Sequence, residues 1–196
     1  METIYKIDSE IFLYLNRFVG RSDLLDGFSK FVVNDYFVPV LSSMILLSIW
    51  FGWQTEEQRD RHQFGVMAAG LGVGIANAII PIITALYFRE RPFEVLDVSL
   101  LFYQPTDSSF PSNPACIIFA MAWGVSFGNT RASHILFGLG FIYGLARVYS
   151  GVCYPMDVLG GLVIGLFSAS VGAYFIKRTG LLRNKFLQVT RFFCLS

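Results

Sequence analysis

Apolar runs separated by short polar punctuation organise this chain. Residues 36–53, 64–88, 114–128, 132–149 and 158–176 are apolar with few charges, and about 20 such residues let a helix cross a hydrocarbon core about 30 Å thick. The pattern predicts five spanning helices. Tyr36 and Trp53 flank the first run as aromatic residues that settle at headgroup level. The run at 114–128 is short for a span, requiring an extra turn or thinned lipid. Ahead of them, Ile7, Ile11, Phe12, Leu15 and Phe18 share one helical face, with Asp8, Glu10 and Arg17 elsewhere. A second short helix, capped by Ser22 or Asp23, turns Leu24, Leu25, Phe28 and Phe31 inward. Both are expected to lie in the membrane interface.

Residues 54–63 read as a polar loop that holds His62, and His134 opens the fourth run at the same membrane side. Pro92 is expected to end the second span at Arg91, leaving Asn77, Thr84 and Arg91 along one face. The connection at 94–113 is long, as functional loops often are. Gly65, Ala69, Gly72 and Ala76 make a small-residue face, and Gly140 with Gly144 and Gly161 with Gly165 repeat a spacing suited to close helix contact.

Composition agrees with the pattern: 54% of the 196 residues are hydrophobic and 16% aromatic, with a mean hydropathy of +0.55. The expected fold is all-α, one polytopic membrane helix bundle, with interfacial helices at 1–35, five spans at 36–176 and a basic tail at 177–196. A net charge of +1 without a basic, aromatic-laced stripe excludes a nucleic-acid binder. Three cysteines without close pairing indicate neither a disulfide framework nor a zinc site. No signal peptide is expected at the N-terminus. Arg59, Arg61, Arg131, Lys177, Arg178, Arg183, Lys185 and Arg191 gather on the tail side, which predicts a cytoplasmic C-terminus.

Three stretches on the opposite, outward side carry the candidate chemistry: RERPF at 89–93, DSSFPSNPA at 107–115 and ARVYSGVCYPMDVLGG at 146–161. Arg91 and Arg147 are forked, permanently charged donors matched to phosphate oxygens. Ser112 adds a hydroxyl, Arg89 and Asn113 stand beside the clamp, and Asp157 can orient a neighbour or cap the fifth span. Singly, each residue suits a membrane edge or a helix cap. Together they point to an anion site. No cluster suggests a metal.

These stretches resemble the three signature segments of the type 2 phosphatidic acid phosphatase superfamily, most of all its bacterial undecaprenyl-diphosphate phosphatase branch. The resemblance covers about residues 84–165. It implies a membrane bundle, a lipid phosphate substrate, no cofactor and residence in a bacterial plasma membrane. Arg91 with Pro92, Pro111 with Ser112, and Arg147 with Asp157 match the family pattern. Thr84 stands where the family has lysine, Pro114 where it has the histidine that protonates the leaving group, and Cys153 where it has the nucleophilic histidine. Three readings follow. The chain binds a phosphate or diphosphate lipid headgroup without turnover, as a carrier, a sensor or a subunit with protein partners; or it hydrolyses such lipids through Cys153, with Asp157 orienting; or it is a structural membrane subunit.

Overall fold

The computed structural model describes residues 2–34, 36–52 and 55–180. Most of the expected basic tail, residues 181–196, lies outside them. The described residues form eight helices and no strands: α1 (Glu2–Asn16), α2 (Asp23–Val33), α3 (Phe37–Phe51), α4 (Glu56–Leu86), α5 (Pro92–Val95), α6 (Asn113–Ser126), α7 (Thr130–Tyr149) and α8 (Pro155–Arg178). The all-α bundle is therefore as expected. By length and apolarity α4 and α8 qualify as membrane spans, and α2 with α3, bent by 56° at their junction, form a third candidate; α6 is a shorter apolar helix.

Residues 56–63, expected to be part of a polar loop, are helical. Thr55 accepts a hydrogen bond from the Gln58 N–H, Glu56 and Glu57 occupy the first turn, and α4 runs unbroken from there. A capping side chain and acids near the positive helix end favour helix even in a charged segment. At its far end α4 stops at Leu86, earlier than expected, so Thr84 is helical but Arg91 is not on the same face.

Of the two N-terminal helices, α2 carries its apolar face the other way round from the expectation, while α1 divides its apolar face between exposed and buried positions. In α2, Leu24, Leu25, Phe28 and Phe31 are exposed while Ser29, Val32 and Val33 are buried. In α1, Ile7 and Ile11 are exposed, and Asp8, Phe12 and Asn16 are buried. Where the surroundings are hydrocarbon rather than water, apolar side chains gain nothing by turning inward, and polar ones find partners only inside the protein.

The centre of the molecule is the mutual packing of α4, α6 and α8, and small residues permit it. A Cβ built on Gly72 would sit 2.7 Å from the Ala169 Cα, and one on Gly165 2.6 Å from the Cys116 carbonyl oxygen. Gly161 does the same nearer the site, where a Cβ would lie 2.8 Å from the Ser112 carbonyl oxygen. This close approach places the start of α6 against the start of α8.

Candidate functional site

The three motif stretches meet at one end of the bundle, joined by backbone hydrogen bonds. The Ser109 N–H donates to the Arg89 carbonyl at 2.9 Å, and the Ser112 N–H donates to the Asp157 carbonyl at 3.0 Å. The Arg89 N–H donates to the Ser108 hydroxyl at 3.0 Å. Gly151 makes the turn that delivers Cys153. Its φ of +86° is left-handed backbone, which favours glycine, and the Leu101 N–H donates to the neighbouring Ser150 carbonyl at 3.1 Å. His62 lies at the opposite end, beside Asn129, away from the motif loops.

Asp157 is fully buried at the start of α8. Its carboxylate accepts from the Ser109 hydroxyl at 2.5 Å, the Tyr154 N–H at 2.8 Å and Arg89 Nη1 at 2.6 Å. The other fork of Arg89, Nη2, donates to Asp8 Oδ2 at 2.6 Å, while Asp8 Oδ1 accepts from the Met156 N–H at 3.0 Å. Arg89 also lies over the Tyr154 ring, 4.0 Å from its centroid. Burial works against its charge, but the Asp157 and Asp8 carboxylates outweigh that and hold the guanidinium above its ordinary pKa. Both forks of Arg89 thus engage carboxylates, and Asp157 engages Arg89 rather than Arg147.

Arg91 is buried and held by several acceptors. Nη1 donates to the Val152 carbonyl at 2.9 Å, Nε to the Asp107 carbonyl at 2.9 Å and Nη2 to Asp107 Oδ1 at 2.7 Å. Its backbone N–H donates to Glu94 Oε2 at 2.8 Å, which closes the short turn of α5.

Arg147, in the last turn of α7, differs from both. It is 5% exposed and donates from Nη1 to the Tyr143 hydroxyl at 3.2 Å. Among the described residues no carboxylate lies within ion-pair distance of it, and its buried Nε has no partner. The Ser112 hydroxyl and the Asn113 amide oxygen are likewise buried without partners. A charge taken out of water without a counter-ion is costly. Arg147 is thus left short of an acceptor.

Cys153, within electrostatic reach of both guanidinium groups, is 1% exposed in an apolar cluster with Phe12, Val148 and Tyr154. Burial pushes its thiol up to about 11; Asp157 pushes the same way, and the fields of Arg147 and Arg91 only partly oppose them. Cys116 and Cys153 are both free.

The structure brings Arg91, Arg147, Cys153 and Asp157 together, with Ser112 docked on Asp157 through its backbone. Sequence reasoning missed Asp8, Asp107 and Ser109. The available signal for Asp8 was a carboxylate in an otherwise apolar, membrane-associated helix, where a charge needs an interior partner.

The family model of the PAP2 superfamily matches residues 65–180. The undecaprenyl-diphosphatase BcrC of Bacillus subtilis is 31% identical over 175 residues, covering 89% of this chain and 85% of that protein. The crystal structure of Aquifex aeolicus LpxE is similar with a TM-score of 0.65 and 28% identity, covering 83% of this chain and 92% of that one. The transmembrane PAP2-type phosphatidylglycerolphosphate phosphatase of Bacillus subtilis shares the fold, with a TM-score of 0.65 at 21% identity over 91% of this chain and 89% of its own. With the apolar helices α4 and α8, these likenesses identify an integral membrane protein.

Proposed function

The chain belongs to the PAP2 superfamily, and from that premise we propose that it is a lipid-phosphatase-like membrane protein whose motif loops hold the phosphate or diphosphate headgroup of a polyprenyl lipid or glycerolipid without cutting it. The observation that carries this reading is Arg147, a buried guanidinium with no carboxylate partner among the described residues. A phosphate oxygen is the acceptor it lacks. Ser112 stands ready as a second donor, and Arg91 closes the far side, while Arg89 holds the loops together through Asp8 and Asp157.

Turnover needs an attacking group and a proton for the leaving group. A thiol pushed up to about 11 is neutral at physiological pH, and thiols attack as thiolates. Pro114 has no proton to give. The Asp157 carboxylate is occupied by Arg89, Ser109 and the Tyr154 N–H, so it is not free to activate Cys153. The distribution of basic residues supports an outward-facing site in a bacterial plasma membrane with a cytoplasmic C-terminus. One feature favours the hydrolytic alternative: Arg147 and Arg91 both pull the Cys153 thiol toward ionisation.

Purified full-length protein in detergent, mixed with farnesyl diphosphate, separates the two. The expected result is saturable binding with phosphate release no faster than without protein. Arg147→Ala is expected to weaken binding by about ten- to a hundredfold, the worth of charge-assisted hydrogen bonds. Release abolished by Cys153→Ser would establish hydrolysis instead. Binding indifferent to Arg147→Ala would remove the clamp.

A further inference from the structure

A cavity of about 440 Å³ opens beside the motif loops between α4 and the start of α6. Its wall includes Ile80, Pro81 and Phe88, and its polar end Thr84, Asp107 and Asn113. Phe88 is 61% exposed, so the cavity opens sideways toward the surroundings of the bundle. Asp107 also binds Arg91, and Asn113 adjoins Ser112. The cavity therefore borders the proposed phosphate clamp on its Arg91 and Ser112 side.

The polar end offers acceptors and no cation. One Asp107 oxygen takes Arg91, and the Asp107 side chain remains 65% exposed. The Asn113 amide oxygen is buried with no partner. The Thr84 hydroxyl donates to the Pro81 carbonyl at 3.1 Å, leaving its oxygen free to accept. Ser108 adds nothing, because its hydroxyl already receives the Arg89 N–H and donates to the Phe110 carbonyl. A second phosphate placed here would face the Asp107 carboxylate and the unpartnered Asn113 oxygen, with no cation among the lining side chains to offset them. A group that donates hydrogen bonds would satisfy them.

We infer that this cavity is a headgroup subsite for a hydrogen-bond-donating substituent, an ammonium or a hydroxyl, on a phospholipid whose phosphate lies on Arg147, with the lipid's apolar part along Ile80, Pro81 and Phe88. The inference rests on the phosphate-holding reading above and narrows it, from any phosphate or diphosphate lipid to a glycerolipid-type headgroup. Thr84 decides the preference. A cation at this position would suit a second phosphate, whereas Thr84 leaves Asp107 and Asn113 to select a donor.

The test uses full-length protein in maltoside micelles and four short-chain probes: dihexanoyl phosphatidylethanolamine, dihexanoyl phosphatidylglycerol, dihexanoyl phosphatidylcholine and farnesyl diphosphate. The ethanolamine or the glycerol lipid is expected to bind about tenfold more tightly than the choline lipid, whose methylated nitrogen has no N–H, in line with one charge-assisted hydrogen bond. Which of the two prevails distinguishes ammonium from hydroxyl. Thr84→Lys is expected to reduce that preference and to strengthen farnesyl diphosphate. Equal binding of the choline, ethanolamine and glycerol lipids, or a Thr84→Lys profile identical to the parent, overturns the subsite. If binding still depends on Arg147 in that case, the phosphate-holding reading stands alone. If no probe shows Arg147-dependent binding, both fall.

Discussion

At Cys153 a nucleophilic residue type sits in an environment that disfavours its ionised form. The thiol is enclosed by Phe12, Val148 and Tyr154, and burial outweighs the two nearby guanidinium groups. From an ordinary 9.0 to about 11 is a shift that leaves about a hundredfold less thiolate at pH 8. In a background where Cys116 and Cys194 are serine, alkylation of Cys153 by N-ethylmaleimide at pH 8 is accordingly expected to be about a hundredfold slower than that of a free thiol. Alkylation at the free-thiol rate would reveal a reactive thiolate and favour hydrolysis. The stability consequence has a definite sign. A raised acid pKa favours the neutral form in the folded state, so the contribution is complete below about pH 9 and lost as pH rises through about 11. The placement of three loops on one membrane side, with the family resemblance of their motifs, led to the expectation that Arg91, Arg147, Cys153 and Asp157 are neighbours. It did not show that Asp157 would engage Arg89, because that depends on Asp8 arriving from a separate helix.

Among the elements, α2 shows how a hydrophobic period can be read with the wrong sign, since Leu24, Leu25, Phe28 and Phe31 face outward. The periodicity of α1 is real, but its inward face is Asp8, Phe12 and Asn16. Asn16 ties α1 to two other backbone segments: its Nδ2 donates to the Ser99 and Tyr149 carbonyls at 2.9 and 3.0 Å, and its Oδ1 accepts from the Ser99 N–H at 2.9 Å. Asn16→Ala is expected to cost about 1–3 kcal/mol by leaving those groups unsatisfied, whereas Ile11→Ala on the exposed face is expected to stay within about 0.5 kcal/mol. Thermal unfolding in detergent checks the contrast, at about 2–4 °C per kcal/mol for a chain of this size. A larger loss from Ile11→Ala would restore the conventional orientation.

For the whole molecule, the site depends on how closely α4, α6 and α8 approach. Gly165 has no room for a side chain, while Gly138 on α7 has nothing within 4 Å of where a Cβ would be. Gly165→Leu is expected to force α6 from α8, costing about 1–3 kcal/mol or more and displacing the Ser112 backbone from Asp157. Gly138→Leu is expected to leave melting temperature and ligand binding unchanged. Equal melting temperatures for the two variants would mean that the bundle is not held by this contact.

The sequence by itself determined the membrane character, the all-helical architecture, the family and the meeting of three motif loops, because apolar run length, small-residue spacing and motif order are local properties of the chain. Only the tertiary structure decided which arginine is neutralised and which is left without an anion, and which face of each N-terminal helix turns inward. Those outcomes depend on partners far apart in sequence: Asp8 reaches Arg89 across 81 residues, and a buried charge is settled by whichever acceptor the fold brings within reach.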